Sequence, residues 1–307
     1  MTIRTKASRA CRAARVLSLV AAGAALSVLW TEAQVGPAPA GARKPKPRVA
    51  EAHWLTPFYR EGQYRWLDIA DRPYSTTFRR LSQYGNRQVL ANYTQLEGDT
   101  LRGELVAHGL KPNFAYQVKL EGQPTKAGPF SAEDLRDPRN WTNKQLGELG
   151  RWWCPDCEYN VSSWSMDGDC HKGHRLLGYV LFDFFVTDEN GSAKCTFSLD
   201  SSYHVLWKTS QYPPSDDDSA PRLFKPVASR SFGYSKDLPA EEVSIYLEHE
   251  YDRPRPGQAR LPEGEYRCRL LLTEESFHSY SWGAGATPGG HWCHCLSDEE
   301  LRFTVRR

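Results

Sequence analysis

The chain has 307 residues, with 39 Lys and Arg against 37 Asp and Glu and a formal charge of +2. Residues 1–33 hold five of the basic side chains and one acidic one, and residues 34–52 four and one, so residues 53–307 carry 30 basic against 35 acidic, or −5. That balance leaves a nucleic-acid role, which needs a basic face, without compositional support.

The N-terminus sets Arg4, Lys6, Arg9, Arg12 and Arg15 before the apolar run VLSLVAAGAALSVLW. A basic region followed by an apolar stretch of about 15 residues is the layout of a secretory signal, and a membrane span needs about 20. Residues 1–33 are therefore expected to be a signal peptide ending near the small residues of TEAQ, or else an uncleaved anchor, which would be the chain's one link to a membrane. No cysteine follows the run to accept a lipid. Residues 34–52, rich in Pro, Ala and basic side chains, cannot bury a core and read as an extended tether. The protein is expected to be secreted or periplasmic.

Residues 53–307 form a 255-residue stretch, and the chain's ten Trp and 15 Tyr suit the core of one large β domain. Alternation with period two recurs along it. In YQVKL, Tyr116, Val118 and Leu120 share a face, with Gln117 and Lys119 expected in water. VSIYL, YRCRLLL and the terminal LRFTV repeat this pattern of half-buried strands. GYVLFDFFV is continuously apolar and reads as a central strand. It runs into TDENGSAKCTF, where Asn190-Gly191 predicts a tight hairpin, because this pair tolerates positive φ.

The stretch LKPNFAYQVKL, with Leu110, Pro112 and Tyr116 in the pattern Leu-x-Pro-x-x-x-Tyr, resembles the corner before an inner strand of fibronectin-III-like and immunoglobulin-like domains. The likeness, which extends in the later FFVTDENGSAKCTF to sandwiches of a secreted bacterial type, covers about eleven residues and implies a fold rather than an activity. It implies that the Tyr116 hydroxyl ties back to the preceding turn, and that the fold is mainly β, an antiparallel immunoglobulin-like β-sandwich.

Between strand patterns lies SAEDLRDPRNWTNKQLGELGRWW. Ser131 is placed to cap a helix that Pro138 breaks, and WTNKQLGEL restarts as a short helix with Thr142 as cap. It leads into Cys154-Pro-Asp-Cys157 and, twelve residues on, Cys170-His171-x-x-His174. Two thiolates from one tight turn, closed by thiolate or imidazole from a second, are the ligand set of a structural zinc site. The expectation is a helical, Cys/His-containing insertion at about 131–174, with zinc held among Cys154, Cys157, Cys170, His171 and His174. Export also favours disulfides, and a redox pair is the third reading, although the strand-then-helix setting of such a pair is missing.

With Cys11 in the leader, Cys195, Cys268, Cys293 and Cys295 are left over when three cysteines bind metal. Cys195 shares a strand face with Phe197 and Leu199, and Cys268 with Tyr266 and Leu270. A disulfide between the two and a pair of buried thiols both fit. His204 lies in a strand pattern as a hydrogen-bonded edge residue, and Asp216 to Asp218 read as a solvated linker. In TEESFHSYSWGAGATPGGHWCHC, Glu274, Glu275 and His278 end a strand before a glycine-rich loop, and His291, Cys293, His294 and Cys295 follow. This region reads first as a long hairpin loop, and second as another metal site or a binding surface.

No Gly-x-Ser-x-Gly, His-Glu-x-x-His or phosphate-cradling loop occurs, so no catalytic or cofactor-binding residue is assigned. The functional expectation is a non-enzymatic binding or structural module of the cell envelope or extracellular space, with a protein or glycan ligand. The alternative is a secreted metal-dependent hydrolase using the Cys/His cluster or the Glu274–His294 region.

Overall fold

The computed structural model describes residues 51–58, 65–70, 72–123, 141–154, 159–161, 176–202, 204–208, 222–224, 232–240, 243–248, 257–275 and 292–307. The chain divides into two units, Met1–Arg48, which lies outside the described residues, and Val49–Arg307, which carries every element below.

Among the described residues, fifteen strands and two helices follow in chain order: β1 Glu51–Trp54, β2 Thr56–Pro57, α1 Thr76–Leu81, β3 Val89–Gln95, β4 Glu97–Gly98, β5 Arg102–Ala107, β6 Ala115–Gly122, α2 Trp141–Leu149, β7 Arg151–Cys154, β8 Tyr159–Val161, β9 Leu177–Val186, β10 Ala193–Ser198, β11 His204–Lys208, β12 Arg222–Phe224, β13 Val243–Glu248, β14 Gly264–Glu275 and β15 Trp292–Val305. The fold is mainly antiparallel β, consistent with a sandwich. One principal sheet runs β1-β3-β5-β10 and the other β2-β15-β14-β6-β9-β7-β8, with β4 joined to β15 in parallel, while β11-β13-β12 make a small third sheet.

A single apolar core lies between the two principal sheets. Val89, Ala91, Tyr93, Leu105, Cys195 and Phe197 from the first meet Val118, Leu120, Val180, Phe182, Leu270, Leu272 and Phe303 from the second. The period-two pattern thus chose the right inward residues on β6, β10 and β14. The outward side of β6 differs from expectation. Gln117 and Lys119 are each only 1% exposed, and Glu121 is fully buried. The reason is that the second sheet is covered on both faces. On the side away from the main core, Ala115 and Leu181 pack in a second apolar cluster with Ile69 and Val243, and Trp153, Leu177, Tyr179 and Leu271 make a third.

β9 is central, as its continuous apolar run implies: it pairs with β6 on one side and β7 on the other. The predicted Asn190-Gly191 hairpin is not formed. β10 pairs with β5 in the opposite sheet, so residues 187–192 cross from one layer to the other. With both its neighbours taken, β9 has no edge left for β10. The turn itself is real: Asp188 Oδ1 accepts the Asn190 and Ser192 N–H groups at 2.8 Å each, and Gly191 takes φ +69°. A Cβ at Gly191 would lie 2.0 Å from the Leu110 carbonyl oxygen, so this crossing requires glycine.

The crossing is stitched to the corner before β6. Leu110 N–H donates to Gly191 O at 3.0 Å, and Thr187 Oγ1 donates to Lys111 O at 2.5 Å. In that corner the Lys111 N–H donates to the Tyr116 hydroxyl at 3.0 Å, the tie that the Leu-x-Pro-x-x-x-Tyr pattern implies.

α2 covers the predicted segment, but it begins at Trp141, so Thr142 lies in its first turn rather than at its cap. The Thr142 hydroxyl instead accepts the Arg267 N–H at 3.4 Å. Asn143 fixes the helix on β9: its Nδ2 donates to Leu176 O at 2.9 Å, and its Oδ1 accepts the Gly178 N–H at 2.5 Å.

Candidate functional site

Of the residues expected to bind zinc, the structure places Cys154 at the end of β7, and Cys157, Cys170, His171 and His174 lie outside the described residues. The strands around them are informative. β7 and β8 pair antiparallel with Cys154 opposite Tyr159, and residues 155–158 between them, Cys157 included, lie outside the described residues. On the other side of β7, Trp153 pairs with Leu177. In sequence, Cys154 is one residue past that pair and His174 three before it. Among the described residues no group of three or more His, Cys, Asp or Glu is disposed to hold a metal ion, and no helix is long and apolar enough to cross a membrane.

Cys195, Cys268 and Cys295 are buried thiols. The disulfide weighed between Cys195 and Cys268 is not formed, although both face the core as their patterns imply. Burial pushes the Cys268 thiol well above its ordinary pKa, with the Glu121 charge adding to the shift, so it is held in its unreactive form. Cys293 and His294 lie in β15, in register with Glu274 and Thr273 respectively, and His278 and His291 lie outside the described residues. β14 and β15 are thus the two arms of a long hairpin. His204 begins β11, opposite Glu248, and Asp216 to Asp218 lie outside the described residues.

Glu274, named in the sequence as part of a second candidate region, is committed inside the fold. Its carboxylate sits 2.6 Å from Lys111 Nζ, and both side chains are 1% exposed. Oε2 accepts the Arg65 N–H at 2.8 Å, and Tyr84 donates its hydroxyl to Oε1. Lys111 Nζ also donates to Arg65 O at 2.6 Å and lies 4.1 Å from the centre of the Trp66 ring. The Tyr84 and Tyr116 hydroxyls are 3.0 Å apart. Burial first, and then the neighbouring Glu274 and Cys295, push both phenols well above their ordinary range, so both stay protonated. A buried ammonium is expensive unless paired and hydrogen-bonded, and here it is both.

Asp68 is built on the same plan. Fully buried, it accepts the Ala70 and Arg72 N–H groups at 2.8 and 2.9 Å on Oδ1. On Oδ2 it takes the Arg72 guanidinium at 2.7–2.8 Å and the Tyr234 hydroxyl at 2.7 Å. This sews the segment before α1 to residues 232–240.

The third such carboxylate reaches the surface. Asp298 on β15 accepts the Tyr93 hydroxyl at 2.7 Å and the Glu300 N–H at 3.3 Å, and its Oδ2 lies 2.7 Å from His53 Nδ1. The other ring nitrogen, Nε2, is 2.9 Å from Glu51 Oε1. The side chain of Asp298 is 8% exposed, that of His53 31% and that of Glu51 52%. The Tyr93 ring stands edge-on to the imidazole, centroids 5.5 Å apart. Partial burial works against a charged imidazole, but the hydrogen bond and charge of Asp298, and then those of Glu51, outweigh it and raise the His53 pKa above its ordinary 6.5. Of the three constellations, this one alone holds a group that exchanges protons with water near neutral pH. The sequence offers no sign of it, because His53 and Asp298 are 245 residues apart.

No protein-family model, curated protein or solved structure matches the chain.

Proposed function

We propose that the protein is an exported, non-enzymatic binding or structural module of the cell envelope or extracellular space. In this reading it is an immunoglobulin-like antiparallel sandwich whose helical, Cys/His-containing insertion at about 131–174 is stapled to the scaffold by zinc. Four ligands come from Cys154, Cys157, Cys170, His171 and His174, and the braced loop presents a surface to a protein or glycan partner.

The observation that carries this reading is the register around β7. Cys154 pairs with Tyr159 on one side of β7 and Trp153 with Leu177 on the other, so the strand that ends just before Cys157 and the strand that begins just after His174 are neighbours. Holding a loop of this length in one conformation costs backbone entropy of about 1–2 kcal/mol per residue, and metal ligation offsets that cost. The Lys111–Glu274 pair supports a bracing role for the scaffold, since both charges are spent on each other within the core.

The test is metal analysis with a free-thiol count on the purified, export-processed protein. One zinc per chain is expected, and Cys154→Ser and His174→Ala should each lose the metal and lower Tm. A metal-free protein in which Cys154, Cys157 and Cys170 are oxidised would overturn the zinc. A zinc-free variant with unchanged Tm but lost hydrolytic turnover would overturn the bracing role.

A further inference from the structure

We propose that His53 is a pH-operated latch that ties the first residue of β1 to β15 through Glu51 and Asp298. β1 is an edge strand: among the described residues it pairs with β3 alone. Its partner in the other layer is β15, reached through the contact of His53 Nδ1 with Asp298 at 2.7 Å. Imidazole has one N–H when neutral and two when protonated. Here both ring nitrogens face carboxylates, at 2.7 and 2.9 Å, so only the protonated ring satisfies both.

The two carboxylates are not equal competitors for the last proton. Asp298 is buried and already fixed by the Tyr93 hydroxyl and the Glu300 N–H, whereas Glu51 is half exposed and can turn to water. When the ring loses its second proton, the remaining N–H stays on Nδ1 toward Asp298. Nε2 then presents a lone pair to Glu51, and the tie at residue 51 opens. The ionisable groups facing His53 among the described residues are Glu51 on β1, Tyr93 on β3 and Asp298 on β15, with Cys268 of β14 behind Tyr93.

The sign follows from the raised pKa. The stabilisation is fully present below about 6.5, the ordinary histidine value, and is lost as pH rises through the higher folded value. Acid closes the tie between the start of β1 and β15, and mildly alkaline solution loosens it. Each unit by which the folded pKa exceeds the unfolded one favours the closed, protonated form about tenfold.

Amide hydrogen exchange over residues 51–54 of the full chain, corrected for intrinsic rates, tests this between pH 5.5 and 8.5, alongside an NMR titration of His53 assigned by His53→Gln. In the natural protein, protection should fall several-fold across the His53 titration. Glu51→Gln alters an exposed side chain and leaves the fold intact. Its amide serves either protonation state of the ring, so the His53 pKa should drop toward 6.5 and protection of β1 should become flat with pH. Protection that is already flat in the natural protein would overturn the latch, as would a pH dependence that Glu51→Gln leaves unchanged.

Discussion

Glu274 on β14 and Asp298 on β15 each take a tyrosine hydroxyl, a backbone N–H and a basic side chain, yet one site is sealed and the other is open. Around Glu274 the partners are Tyr84, the backbone of the half-buried Arg65, and Lys111, with the Lys111 and Glu274 side chains each 1% exposed. Around Asp298 they are Tyr93, Glu300 and His53, at the rim where the edge of one sheet meets the other. The same chemistry gives a permanent brace in the first place and a titrating tie in the second. What differs is the basic residue, lysine against histidine, and how much water reaches it. Burial converts an ion pair into a strict requirement, because either charge left alone has no water to fall back on.

That contrast can be broken in graded steps. Lys111→Met should have the largest effect, about 3–5 kcal/mol in denaturant unfolding, because it leaves Glu274 buried without its cation. Adding Glu274→Leu should restore much of the loss, and a double variant as unstable as the single would show that the stranded carboxylate is not its cause. Asp298→Asn should cost less, about 1.5–3 kcal/mol, and should also lower the His53 pKa in an NMR titration. Tyr84→Phe and Tyr93→Phe compare the sites directly. The first should cost about 1–3 kcal/mol, since it strips a donor from Glu274 and a neighbour from Tyr116, and the second about 0.5–1.5, since Asp298 keeps the Glu300 N–H and the partly exposed His53. A larger loss for Tyr93→Phe would sink the idea that exposure separates the two. Glu51→Gln should change stability least, by under about 1 kcal/mol, because an exposed ion pair is screened.

Much of the scaffold was legible from local pattern. Tyr116, Val118 and Leu120 alternate and do face the core, the unbroken run of β9 does lie between two neighbours, and Leu110, Pro112 and Tyr116 do form a corner closed by the Lys111 N–H. The misreadings have one origin. Gln117 and Lys119 looked like water-facing positions because alternation tells two faces apart without saying whether the second is covered. Asn190-Gly191 looked like a hairpin because its turn chemistry is local, whereas the partner of each flanking strand is not. The spacing of Cys154, Cys157, Cys170, His171 and His174 is local and visible in the sequence, and all but Cys154 lie outside the described residues. The His53, Tyr93 and Asp298 site was not visible there, since no motif spans 245 residues.

The sequence by itself determined which residues form strands, which face of each is apolar, where Gly191 must turn, and that five Cys and His side chains fall within one segment of chain. Only the tertiary structure decided which sheet each strand joined, that β6 is buried on both sides, and which base each of Asp68, Glu274 and Asp298 received. Periodicity and turn preference act over a few residues and are written in neighbouring letters. The pairing of a buried charge is settled by how two layers stack, and that depends on the whole chain at once.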